Sequence, residues 1–126
     1  MLEAASAYIE RGNKVLTIER EGGKYKGYRS MSHGMVEPGE TPEMTAIRET
    51  EEEAKYLVKV IKPITEYLGE LTSGEKVKIH IYECKIIKKV RKSNMNLRWI
   101  SKEDLLKRKD VVPTLKKAIK SISDLI

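Results

Sequence analysis

The sequence predicts one α/β domain built on a mixed β-sheet, and three observations carry that reading. Short β-prone runs alternate with stretches of helical spacing, the turns between them are marked by Gly, Pro, Asn and Ser, and no repeat or long linker divides the chain. At 126 residues, 40% of them hydrophobic, there is material for one compact core, so residues 1–126 are read as a single domain. The apolar runs fall far short of the roughly 20 residues that span a bilayer. The first residues lack a basic segment followed by an apolar one, and the single Cys84 has no internal partner, so the expected location is a reducing cytoplasm with no membrane association. Abundant Lys and Glu with no Gln hint at a thermophilic source.

In chain order, Ala4–Ile9 and Lys14–Arg20 are β-prone runs separated by the turn Gly12-Asn13. Residues Glu21–Ser32 are rich in Gly, Tyr and Ser and read as loop with at most a short strand. Pro38-Gly39 marks a turn, and Thr41-Pro42-Glu43 opens a helix with a hydroxyl cap, a proline in the first turn and an acid at the positive end of the dipole. Nothing breaks that helix before Lys55. Two further strands are expected at Val58–Ile61 and Ile64–Glu70, then a turn at Thr72–Glu75 and a strand over Lys76–Ile87 with Val77, Ile79, Ile81 and Cys84 inward. Leu97–Ile100 forms a short strand, Ser101 caps a short helix, and a last helix starts near Pro113. Its apolar stripe comprises Leu115, Ala118, Ile119, Ile122, Leu125 and Ile126.

The net charge of +6 is uneven: acids crowd between Glu37 and Glu53, and Lys and Arg dominate from Lys76 onward. That pattern suits a cation site in a field that attracts anions, although charge alone favours the reading of a solvated surface. At about 100° per residue, Glu49, Glu52 and Glu53 share one face of the helix, while Ile47, Ala54 and Met44 lie opposite and can dock on a sheet. Three acids so close repel one another, and a divalent cation with its preference for hard oxygen ligands reverses that sign. Before the helix, Gly34, Pro38 and Gly39 shape a returning loop, and Glu40 and Arg48 have opposite charges that can tie loop to helix.

Here the sequence resembles the Nudix family. The Nudix box reads Gly, five residues, Glu, seven residues, Arg-Glu, an aliphatic, any residue, Glu-Glu, any residue, Gly, aliphatic. Gly34, Glu40, Arg48, Glu49, Glu52 and Glu53 occupy six of its seven fixed positions within Gly34–Tyr56. Lys55 stands in place of the box glycine, and Thr50 in place of the usual aliphatic. A lysine held in a left-handed cap costs about 1 kcal/mol, so a locally different helix end is expected. His33, where relatives often carry Gly or Lys, is read as a loop residue without a catalytic role.

The resemblance implies a Nudix-like α/β/α sandwich and hydrolysis of a phosphoanhydride in a nucleoside diphosphate linked to another moiety: a nucleoside triphosphate, dinucleoside polyphosphate or nucleotide sugar. It implies Mg²⁺, with Mn²⁺ as substitute, on Glu49, Glu52, Glu53 and the Gly34 carbonyl. Glu49 or Glu53 also serves as base through water, and Arg48 and Glu40 orient the carboxylates. The run Arg48–Ala54 is similar to that of dinucleoside polyphosphate hydrolases. Many relatives carry an acid shortly before the late tryptophan, where this chain has Asn94 and Asn96. Arg29, Tyr28 and Trp99 are expected to hold the phosphates and base, with packing or a solvated loop as the competing reading. The partner is a small nucleotide. A non-catalytic nucleotide- or RNA-binding module is the alternative, motivated by the basic second half, and oligomeric state is not legible.

Overall fold

The computed structural model describes residues 1–124, so the stripe positions Leu125 and Ile126 lie outside the described residues. β1 (Leu2–Arg11) turns through Gly12 into β2 (Lys14–Glu19), followed by β3 (Arg29–Ser30) and β4 (Ser32–Met35). The helix α1 (Pro42–Ala54) leads into β5 (Tyr56–Glu70), β6 (Lys76–Lys89) and β7 (Leu97–Ser101), and α2 (Lys102–Lys107) and α3 (Pro113–Ser123) close the chain.

The sheet is mixed, as the sequence predicts. β1 runs parallel to β6 from Leu2↔Val77 to Ile9↔Cys84, while β4 pairs antiparallel with β1 and β5 antiparallel with β6. The order β4-β1-β6-β5 makes β4 and β5 the edges of this layer. β2 pairs on one side with β7 and on the other with β3 and the end of β1.

Because strand side chains alternate, the central strands β1 and β6 bury both faces. Ala4, Tyr8, Val77, Ile79 and Ile81 pack with Leu105, Leu115, Ala118 and Ile119 of α2 and α3. On the other face Ala5, Ala7, Ile9, Tyr82 and Cys84 pack with Ala46 and Ala54 of α1. Cys84 is therefore buried as expected, but on the face opposite Val77, Ile79 and Ile81. The layers are α/β/α, in agreement with the sequence reading.

Four local expectations change. Residues 56–70 form one strand, not two, with irregularities flanking Pro63; an edge strand tolerates a residue that has no N–H to give. Gly34 sits within β4, paired with Ala5, instead of in a loop. Met44 is 51% exposed, and α1 docks through Thr45, Ala46, Thr50 and Ala54, small side chains that let helix and sheet approach closely.

Lastly, Lys55 does adopt the left-handed conformation, φ 62° and ψ 33°, as the C-cap of α1. Its N–H donates to Glu51 O at 3.1 Å and its own carbonyl accepts from Val90 N at 2.8 Å, so pairing on both sides holds the strained backbone. The caps Thr41, accepting from Met44 N, and Ser101, accepting from Asp104 N, form as the sequence predicts.

Since Lys55 is a cap and not a helix interior residue, glycine's poor helix propensity does not count against it there. Lys55→Gly should raise stability by roughly 0.5–1 kcal/mol, or about 2–4 °C in Tm. Thermal unfolding of the two proteins checks this, and a lower Tm for the variant would contradict it.

Candidate active site

Strand β4 and helix α1 build the site together. Thr50 donates to Ala46 O at 2.7 Å, and its oxygen lies 2.7 Å from Ser32 Oγ in the buried seam between helix and strand. That bond gives a physical reason for a hydroxyl where the family pattern has an aliphatic. Two residues along β4, Gly34 faces Glu49 so closely that an added Cβ would lie 2.2 Å from Glu49 Cδ. Glycine is needed here for approach and not for a special backbone angle. Between them His33 N–H, on the outer edge of β4, donates to Glu53 Oε1 at 2.9 Å.

Arg48 organises the other acids. Its Nε and Nη2 grip Glu40 at 2.6 and 2.9 Å, Nη1 reaches Glu49 at 2.7 Å and Glu52 at 3.3 Å, and Nη2 also donates to Met35 O at 3.2 Å. Glu40 accepts in addition from Thr45 Oγ1 and Glu37 N, which fixes the loop before α1. The Arg48 hydrogen bonds hold the Glu40 carboxyl down at about 2. The sequence expectation of a loop-to-helix tie through Glu40 and Arg48 matches this geometry.

Burial sets the remaining carboxylates. It pushes Glu53 up to about 7, with the His33 N–H and nearby Arg20 opposing, and it raises Glu49 against the pull of Arg48. Glu52 is exposed. His33 is pushed down to about 4 by burial, so its ring is neutral near pH 7, and Nδ1 lies 3.0 Å from Ser6 Oγ.

Among the described residues, no three His, Cys, Asp or Glu side chains converge as a metal cluster. Arg48 draws Glu49 and Glu52 to one side, and His33 holds Glu53 on the other. The donor set nonetheless fits a hard divalent cation: carboxylate oxygens only, two of them raised in proton affinity by burial, beside a glycine that leaves room for close approach.

Two clefts share Arg20, Lys24 and Tyr25. One, of about 380 Å³, reaches Glu53 and Met95. The other, of about 750 Å³, extends past His33 to Tyr67, Lys76 and Thr114. None of the three side chains expected to bind substrate lines either one. Arg29 is buried, with its guanidinium taken up by Thr17 Oγ1 and O and by Asn96 Oδ1 and O at 2.9–3.1 Å. Tyr28 packs against Tyr25, ring centroids 5.3 Å apart, and onto the α2–α3 face of the core. Trp99 packs on the α1 face, with Arg11 4.7 Å over its ring. Arg20, Tyr67 and Lys76 take their place around the clefts; no motif marks them, and only the chain's return brings them together.

An α/β sandwich whose edge strand and acidic helix bring carboxylates together narrows the class of protein. A model of the NUDIX domain matches residues 2–122, and the chain belongs to that family. Over 57 residues it is 40% identical to the ADP-ribose pyrophosphatase of Methanocaldococcus jannaschii, a match covering 45% of this chain and 34% of that protein. The chain thus matches about a third of that relative's length. The solution structure of the E. coli ORF135 protein is similar at TM-score 0.83 and 23% identity, covering 99% of this chain and 90% of that one. A NUDIX hydrolase from Nitrosomonas europaea superposes at TM-score 0.84 and 17% identity, covering 98% and 88%. A C. elegans Ap4A hydrolase in a binary complex gives 0.77 and 21%, covering 99% and 97%. At these identities the structures share the fold. Among the described residues, no helix is long and apolar enough to cross a membrane.

A carboxyl raised to about 7 in the fold, against an ordinary value of 4.5, favours the folded state fully below about pH 4.5, and that contribution is lost as pH rises through 7. In EDTA, the Tm of the native protein should therefore fall relative to that of Glu53→Gln between about pH 4.5 and 7.5. The lowered His33 acts in both proteins and cancels in the comparison. A Tm difference that stays flat across this range would contradict the buried carboxyl.

Proposed function

We propose that the chain is a Nudix pyrophosphohydrolase that uses Mg²⁺, replaceable by Mn²⁺, to cleave a phosphoanhydride bond in a nucleoside diphosphate linked to a second moiety. The observation that carries this reading is the pair of half-buried carboxylates, Glu49 and Glu53, held apart by Arg48 and His33 N–H beside a cleft bearing Arg20 and Lys24. Relatives named for ADP-ribose and Ap4A support a nucleotide substrate class.

Glu49, Glu52 and Glu53, with the Gly34 carbonyl, would hold the metal, which would supply positive charge to offset that of the phosphates and to activate water. Arg48 and Glu40 act through the ligands, fixing where Glu49 and Glu52 point. Arg20 and Lys24 bind phosphate oxygens at the mouth of the cleft. Glu53, whose proton affinity burial raises in the metal-free protein, is placed to act as the base toward water. With Oε1 occupied by His33 N–H, the oxygen that accepts a proton from water is Oε2.

Hydrolysis of nucleoside triphosphates, dinucleoside polyphosphates and ADP-ribose should require Mg²⁺ or Mn²⁺ and stop in EDTA. Glu53→Gln should lower kcat at least about a hundredfold, roughly 2.7 kcal/mol, while the protein stays folded. Metal-independent turnover, or near-normal activity of the variant, would overturn this mechanism, and binding of these nucleotides without hydrolysis would favour a binding module.

A further inference from the structure

The chain's excess positive charge sits in one place. Of 25 Lys and Arg, seven lie in residues 84–102, which contain no Asp or Glu; the other 18 face 19 acids. The rest of the molecule is therefore close to neutral. Lys85, Lys88 and Lys89 at the end of β6, with Arg91 and Lys92 beyond it, are all exposed, and among the described residues none of the five makes a salt bridge. On the neighbouring strand Lys59 stands directly opposite Lys85. Like charges in such a pair destabilise a sheet, so the fold tolerates a repulsion that an anionic partner relieves.

The ridge does not end at the hairpin. Val90 N–H bonds Lys55 O at 2.8 Å, Ser93 Oγ donates to Glu53 O at 2.6 Å, and Met95 lines the smaller cleft with Glu53, Arg20 and Lys24. The track of exposed cations along residues 85–92 is thus joined, through these contacts, to the end of α1 and a wall of the smaller cleft.

We propose that this ridge binds the phosphate backbone of single-stranded nucleic acid without reading its base sequence. A single strand can bend with the chain where β6 ends, whereas a duplex, stiff over roughly 150 base pairs, would touch only part of the track. The exposed apolar side chains Ile61, Ile87 and Val90 are interleaved with the cations instead of forming an apolar face, which suits a phosphate chain better than a lipid surface. The ridge binds whether or not the site hydrolyses; its leading a strand toward the cleft takes on meaning through the hydrolase reading above.

The test is fluorescence anisotropy with a single-stranded RNA of about a dozen nucleotides bearing a 5′-hydroxyl, titrated at several salt concentrations. Each phosphate contacted contributes about 0.7 to the magnitude of the log–log salt slope. The native protein should bind with a slope of about −3. The combined variant Lys88→Ala, Lys89→Ala, Arg91→Ala should lower its magnitude by about 2, weaken binding at least about tenfold, keep its Tm, and hydrolyse ADP-ribose within twofold of native. No RNA binding, an unchanged slope in the variant, tighter binding of duplex RNA, or preferential binding of phosphatidylserine vesicles would each overturn the proposal. Absence of RNA binding by the native protein, with its ADP-ribose hydrolysis intact, removes the ridge alone, and RNA binding by the native protein with no hydrolysis of any nucleotide removes the enzyme reading alone.

Discussion

The guanidinium of Arg48 is the interaction on which the site rests. Seven acids lie along residues 37–53, and a chain that gathered Glu37, Glu40, Glu49 and Glu52 without a cation would spread them apart. Arg48 answers with a planar fork: two N–H groups on Glu40, one shared by Glu49 and Glu52, and a further contact to the Met35 carbonyl. One side chain thus closes the loop before α1, orients two carboxylates and joins helix to strand. Lysine, with a single ammonium, could not make these contacts at once. Because Arg48 lies partly in solvent, its worth is geometric more than energetic.

Around that fork, packing and chemistry use the same contacts. The closeness that puts Gly34 under Glu49 depends on small residues along the buried side of α1 and on the Thr50–Ser32 hydrogen bond. The same closeness removes water from Glu49 and Glu53 and raises their proton affinity. A bulkier docking face would lift the helix and return those carboxylates to ordinary values.

Much of this was legible in the sequence because it is local. Thr41-Pro42 announces the start of α1, the spacing of Glu49, Glu52 and Glu53 sets their common face, and alternation along residues 77–84 sets the burial of β6. What was not legible depends on partners distant in the chain. Arg29 reads as a free loop cation until Thr17 and Asn96 arrive from 12 and 67 residues away to enclose it. Lys55 reads as a residue that avoids the left-handed region, yet the Val90 N–H, which no local pattern announces, helps hold it there. Pro63 divides β5 on paper, and only its place at the sheet edge removes the objection.

That edge has a consequence for how the molecules behave toward one another. A 15-residue strand with one side open is a template onto which a second chain can add by backbone hydrogen bonding. Pro63 removes a donor near its middle, the register shifts at Leu57/Val58, Val60/Lys62 and Pro63/Thr65 bend the ladder, and Lys59 and Lys62 set like charges against an approaching copy. The irregularity that hid the strand in the sequence thus also works against backbone pairing between copies of the molecule along this edge.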